Sequence, residues 1–205
     1  HSSVGNATAL CAHLYALQQL APAAGPADLP VLLPVVDAVP SLCGLDPFAS
    51  RFALAFLESS AEWVCLEDLR TQAPHHTLPI LRMASSMIKQ PDCSDNATRV
   101  CKAFLAAGAA VFITWEAGDQ NDISLKSLVQ NLLAITARSP PECRASQTEC
   151  MGVALARTRM QQCQSVLVPL LDSILCEVSR IAPLLTDADA VASGQQLSPT
   201  GQQFL

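Results

Sequence analysis

Three cysteines, Cys43, Cys93 and Cys143, are spaced by fifty residues and then fifty again. The segments ahead of them recur: Gln90-Pro91-Asp92-Cys93 answers Pro140-Pro141-Glu142-Cys143, and Pro40-Ser41-Leu42-Cys43 is a looser version of the same ending. A second match joins Asn6-Ala7-Thr8-Ala9-Leu10-Cys11 to Asn96-Ala97-Thr98-Arg99-Val100-Cys101. Recurrence of this kind marks a chain built from one supersecondary unit, each copy burying its apolar face against the next. It favours an extended binding or building surface over a single catalytic cleft.

The unit is helical. Ala and Leu are abundant, only nine residues are aromatic, and strand-like alternation is scarce. Apolar residues recur instead at intervals of three and four, as in Leu10, Leu14, Leu17 and in Leu125, Leu128, Val129, Leu132, Leu133. The expected fold is all-α: a disulfide-stapled array of about four helical hairpins with a period near fifty residues. The modules are 1–42, 43–92, 93–142 and 143–185, followed by a polar tail over 186–205. Within them the pattern predicts helix pairs over 7–20 and 29–39, 47–70 and 77–89, 96–116 and 124–137, and 146–162 and 166–181. Thr77 is the expected N-cap of its helix, and Pro34 is expected to kink the helix that holds it.

Half of the 205 residues are apolar, enough for a sizeable core, and only 15% are charged. The longest apolar candidate, Ala103–Trp115, predicts a helix of thirteen residues, too short to span a bilayer. A net charge of −6 without a basic cluster argues against nucleic acid and anionic membranes as partners.

Nine cysteines at regular intervals, with no C-x-x-C pair, fit structural disulfides better than zinc or dithiol redox chemistry. That expectation places the chain in an oxidising, secretory setting. The sequons at Asn6 and Asn96 agree with it, both ahead of predicted helices where a glycan stays in solvent. With no signal peptide ahead of His1, the chain reads as a mature or trimmed form. If each hairpin is closed at its open end, Cys11 bonds Cys43, Cys101 bonds Cys143, and Cys150 bonds Cys176. Cys65 and Cys93 are left for the second module, and Cys163 is the odd residue, a candidate free or intermolecular thiol. Each such loop closure contributes roughly 3 to 4 kcal/mol in the chain-entropy model.

Other chemistry finds little support. His1 resembles the copper-binding N-terminal histidine of lytic polysaccharide monooxygenases, but that resemblance implies a β-sandwich, and the strand pattern is missing. His75-His76 follows a proline in a turn and reads as solvated loop. Asp119-Gln120-Asn121-Asp122 resembles part of a calcium loop without its turn glycine or bidentate Glu, so capping of the helix at Ser124 explains it better. Glu58, Glu62, Glu67 and Asp68 read as a solvated helix face. No nucleophile elbow, phosphate-binding loop or Cys/His nucleophile pattern is present, so no enzyme, cofactor or metal is expected.

The function expected is that of a secreted, non-catalytic glycoprotein in extracellular or cell-surface assembly, its partners other protein chains, copies of itself included. The alternative is an extracellular carrier of a lipid or other apolar ligand. Saposin-like and plant lipid-transfer proteins are similar in class, although the six-cysteine spacing and the adjacent Cys-Cys of those families are lacking. A helical cytokine-like ligand is a third class, disfavoured by the repeat.

Overall fold

The computed structural model describes residues 2–25, 27–43, 46–116 and 123–156, with residues 168, 169, 171, 172, 175 and 179. The chain divides into two compact units, His1–Cys163 and Gln164–Leu205. Six residues of the second unit are described, all helical. Of the expected helix over 146–162, residues 146–156 are described and helical, the helix starting earlier, at Pro141. Most of the expected helix over 166–181 and all of the tail over 186–205 lie outside the described residues.

In the first unit the described residues form α1 (Ser2–Leu20), α2 (Leu29–Leu42), α3 (Pro47–Thr71), α4 (Thr77–Met87), α5 (Ser94–Ala106), α6 (Leu125–Thr136) and α7 (Pro141–Ala156). Two short 3-10 turns, Ala21–Ala23 and Ala109–Phe112, complete it, and there is no strand among the described residues. The fold is all-α. No helix among the described residues is long and apolar enough to cross a membrane.

Local chemistry sets the helix ends. Asp46 caps α3 by accepting the Ala49 N–H at 2.8 Å, with Pro47 in the first helical position, where its missing N–H costs nothing. Ser124 caps α6, accepting from Ser127 N–H at 3.1 Å. α2 keeps Pro34 and Pro40 inside its length. At the end of α3, Gln72 takes a left-handed φ of 54°, and its N–H bonds back to Leu69 and Asp68 carbonyls. Such a residue stops a helix by returning the chain's last donors to its final turn.

The odd-numbered helices form the layer that organises the unit: α1 packs on α3, α3 on α5, and α5 on α7. Their contacts ascend together along both chains, so neighbours run parallel. Between α3 and α5, Arg51 Nε donates to Asp92 O, Arg99 meets Glu58, and the Cys65 thiol points to Phe104 O at 3.6 Å. Between α5 and α7, Ser146 Oγ donates to Asp95 Oδ1 at 2.7 Å and Lys102 Nζ meets Glu149 Oε2 at 2.6 Å. Parallel neighbours need return segments, which α2, α4 and α6 supply. Each of these lies chiefly against the helix that follows it: α2 on α3, α4 on α5, α6 on α7.

The core between these layers is aliphatic and aromatic, with Leu54, Phe56, Leu57, Ile80, Leu81, Phe104, Leu105, Leu128 and Leu132 fully buried. The apolar spacing seen over 125–132 falls on this core, since Leu125, Leu128, Val129 and Leu132 are all buried.

The expected helix over 96–116 is shorter than its apolar run suggests. It begins at Ser94 and stops at Ala106, because Gly108 takes a φ of 115° and the chain continues as a 3-10 turn into extended Ile113. A residue with a Cβ rarely adopts that conformation, and here the added methyl would sit 3.2 Å from Leu69 Cδ1. Gly108→Ala is therefore expected to cost about 1–2 kcal/mol, read as a lower urea midpoint. An unchanged midpoint would show that the turn tolerates a side chain.

Candidate binding groove and cysteine sites

A groove of about 760 Å³ opens where the C-terminal end of α1 meets α3 and α5. Trp63 forms its wall and is nearly buried, its indole N–H donating to Ala21 O at 3.1 Å. That bond orients the ring and holds the 3-10 turn after α1 against α3. The floor is made of small residues, Ala61 and Ala103 among them, which keep the depression open between the helices. On the rim, Arg99 meets Glu58 Oε1 at 3.1 Å, linking α5 to α3. Glu62 lies one turn beyond Glu58 and is exposed, and Leu66, one turn further, is 65% exposed. The groove thus offers an aromatic wall, an apolar side chain and charged groups within two turns of one helix.

The four carboxylates read as one solvated face divide in the structure. Glu58 and Glu62 line the groove. Glu67 is bound by Arg70 through two hydrogen bonds, which hold its carboxyl below the usual range. Asp68 is buried, and its Oδ2 accepts the backbone N–H groups of Thr77 at 2.7 Å and His76 at 3.1 Å. Asp68, not Thr77, therefore supplies the first turn of α4, and Thr77 is the first helical residue rather than its cap. The reading of His75-His76 as solvated loop divides too. His75 is exposed, whereas His76 is partly covered and its Nδ1 lies 2.6 Å from Asp37 Oδ1. Asp119 to Asp122 lie outside the described residues. Among those described, no group of three or more His, Cys, Asp or Glu side chains is arranged to hold a metal.

Every described cysteine is a free thiol in the structure, so the expected disulfides are not formed in it. Their positions test the hairpin rule nonetheless. Cys11 is buried in α1, Cys43 ends α2, and Cys93 immediately precedes α5. Cys65 is buried in α3 and Cys101 in α5, while Cys143 and Cys150 both lie in α7. Cys163 and Cys176 lie outside the described residues.

Cys65 and Cys93 are not brought together. Arg51, beside Asp92, is fourteen residues before Cys65 on α3, which puts the two thiols about 20 Å apart along the helix. Cys65 sits instead between Phe104 O and the Thr77 hydroxyl, and burial pushes its pKa up to about 12. A thiol held so is unreactive packing material. Cys43 is likewise raised to about 12, by burial first and then by the proximity of Cys93.

The sequons also shift. Asn6 falls within α1 and Asn96 within the first turn of α5, rather than ahead of these helices. Asn96 is half-buried, and Thr98 is buried with its hydroxyl donating to Ser94 O at 2.8 Å. A glycan on Asn96 would therefore have to be added before α5 packs.

No protein-family model, curated protein or solved structure matches the chain. What the protein does has to be read from its own residues.

Proposed function

We propose that the chain is a secreted, non-catalytic glycoprotein, a disulfide-stapled array of about four helical hairpins that binds other protein chains in extracellular or cell-surface assembly. The observation that carries this reading is the parallel layer α1, α3, α5, α7, with a groove cut into it by Trp63, Glu62 and Leu66. A layer built from successive similar helices adds binding surface with each copy and concentrates no reactive group at one point. The groove's mixture of an aromatic anchor with Glu58, Glu62 and Arg99 suits a protein segment, since hot spots pair buried aromatics with charged rims. A carrier of a purely apolar ligand would leave those charges without a role, which ranks that alternative second.

Two exposed positions test the groove without disturbing the core. Glu62→Lys and Leu66→Asp are each expected to weaken association of the native protein, with itself or with its partner chain, at least about tenfold. Sedimentation velocity over a concentration series reads the change, with circular dichroism as the control for folding. Association unchanged in both folded variants would remove the groove from the account.

A further inference from the structure

We propose that Cys101 and Cys150 form a disulfide joining α5 to α7, so that the staple runs between successive repeats instead of closing one hairpin. The inference rests on the secreted, oxidising setting proposed above.

Axial level on the two helices is the argument. Asp95 meets Ser146 at 2.7 Å and Lys102 meets Glu149 at 2.6 Å, making α5 and α7 parallel neighbours in which residues between 47 and 51 apart stand at one level. Cys101 immediately precedes Lys102 and Cys150 immediately follows Glu149, so the two cysteines stand at the same level. Both are fully buried, on helices whose packed faces meet. Cys143 does not compete. It is nine residues off the level of Cys101 counted from the Asp95–Ser146 pair and five counted from Lys102–Glu149, an axial separation of roughly 8–13 Å, whereas Cys150 is within two residues by either pair. A disulfide needs Cα atoms within about 7 Å. Charge is consistent with the geometry: burial raises the Cys101 thiol well above its ordinary range, and the neighbouring Cys150 adds to that rise.

The oxidant is a low-molecular-weight disulfide such as oxidised glutathione. One cysteine thiolate attacks it, forming a mixed disulfide and releasing one glutathione thiolate. The second cysteine then attacks the protein sulfur and releases the other. Two protein thiols lose two protons and two electrons, and one glutathione disulfide becomes two thiols. Burial lifts Cys150 to about 12, so the thiol stays protonated near neutral pH once α7 is packed. The bond therefore forms during folding, before the helices close over it.

The sequence makes the test direct. Trypsin separates Cys101 on Val100–Lys102, Cys143 on Ser139–Arg144 and Cys150 on 145–157. The full chain, secreted from cells and trapped with N-ethylmaleimide before non-reducing digestion, is expected to yield the first peptide linked to the third. In Cys150→Ala, Cys101 is expected to appear blocked by maleimide, but only after denaturation. Linkage of Cys101 to Cys143, or recovery of Cys101 and Cys150 as thiols while other cysteines are bridged, overturns this connectivity and leaves the secreted reading standing. Recovery of all nine cysteines as thiols overturns both.

Discussion

Replacing Phe104 with alanine is expected to lower the stability of the first unit by about 3–5 kcal/mol, the usual range for truncating a fully buried aromatic. Phe104 is completely buried in α5, the helix that packs on α3, α4 and α7. Its backbone carbonyl also faces the Cys65 thiol. The loss combines the transfer energy of the ring with the cavity its removal leaves in the packed interior. Urea unfolding should show a lower midpoint with an unchanged slope, the sign of lost stability rather than of a remodelled denatured state. Val111→Ala, at a side chain that is 69% exposed, should stay within about 0.5 kcal/mol of the parent. A loss below 1 kcal/mol for Phe104→Ala would mean that α5 is not the centre of the core.

Asp68→Ala is expected to cost about 2–3 kcal/mol, because it strips a charged acceptor from two backbone donors at the turn between α3 and α4. Thr77 is fully buried, and its N–H has Asp68 Oδ2 at 2.7 Å. The His76 N–H is bonded to the same oxygen at 3.1 Å. The backbone carbonyl of Asp68 meanwhile accepts from Ala73 N–H at 3.1 Å, so one residue organises both the exit of α3 and the entry of α4. Asp68→Asn retains one acceptor oxygen and should cost about half as much. Hydrogen exchange offers a site-resolved check, since the Thr77 amide should lose protection in the alanine variant before the core of α5 does. Equal protection in both proteins would contradict the role given to the carboxylate.

Much of the helical architecture is legible in the sequence. Spacings of three and four placed the buried face of α6 correctly, and Pro47 and Ser124 marked helix starts that the structure keeps within a residue. The break after Ala106 was hidden, because Ala103 to Trp115 is apolar throughout except for Gly108 and Thr114, and a lone glycine in such a run is compatible with continued helix. The role of Asp68 was hidden for another reason. Its acceptors serve amides eight and nine residues on, beyond the three-residue reach of a local capping pattern.

The cysteine assignments differ through one assumption about packing. Pairing Cys101 with Cys143 supposes that the two helices of one hairpin lie against each other. In the structure α6 lies against α7, and α5 finds its main neighbours in α3, α4 and α7. Residues some forty to fifty positions apart are thus the ones that meet, as Lys102 meets Glu149 and Arg99 meets Glu58. The groove left no trace in the sequence, since Trp63, Glu62 and Ala103 converge only when α1, α3 and α5 are packed.

The most direct test of the account is intact mass with size analysis of the native secreted protein, before and after reduction. The account predicts a chain heavier than its sequence by glycan, about 2 Da lighter for each bond formed before reduction, and associated into discrete multiples. A single unmodified chain with nine free thiols and no self- or partner association would contradict it.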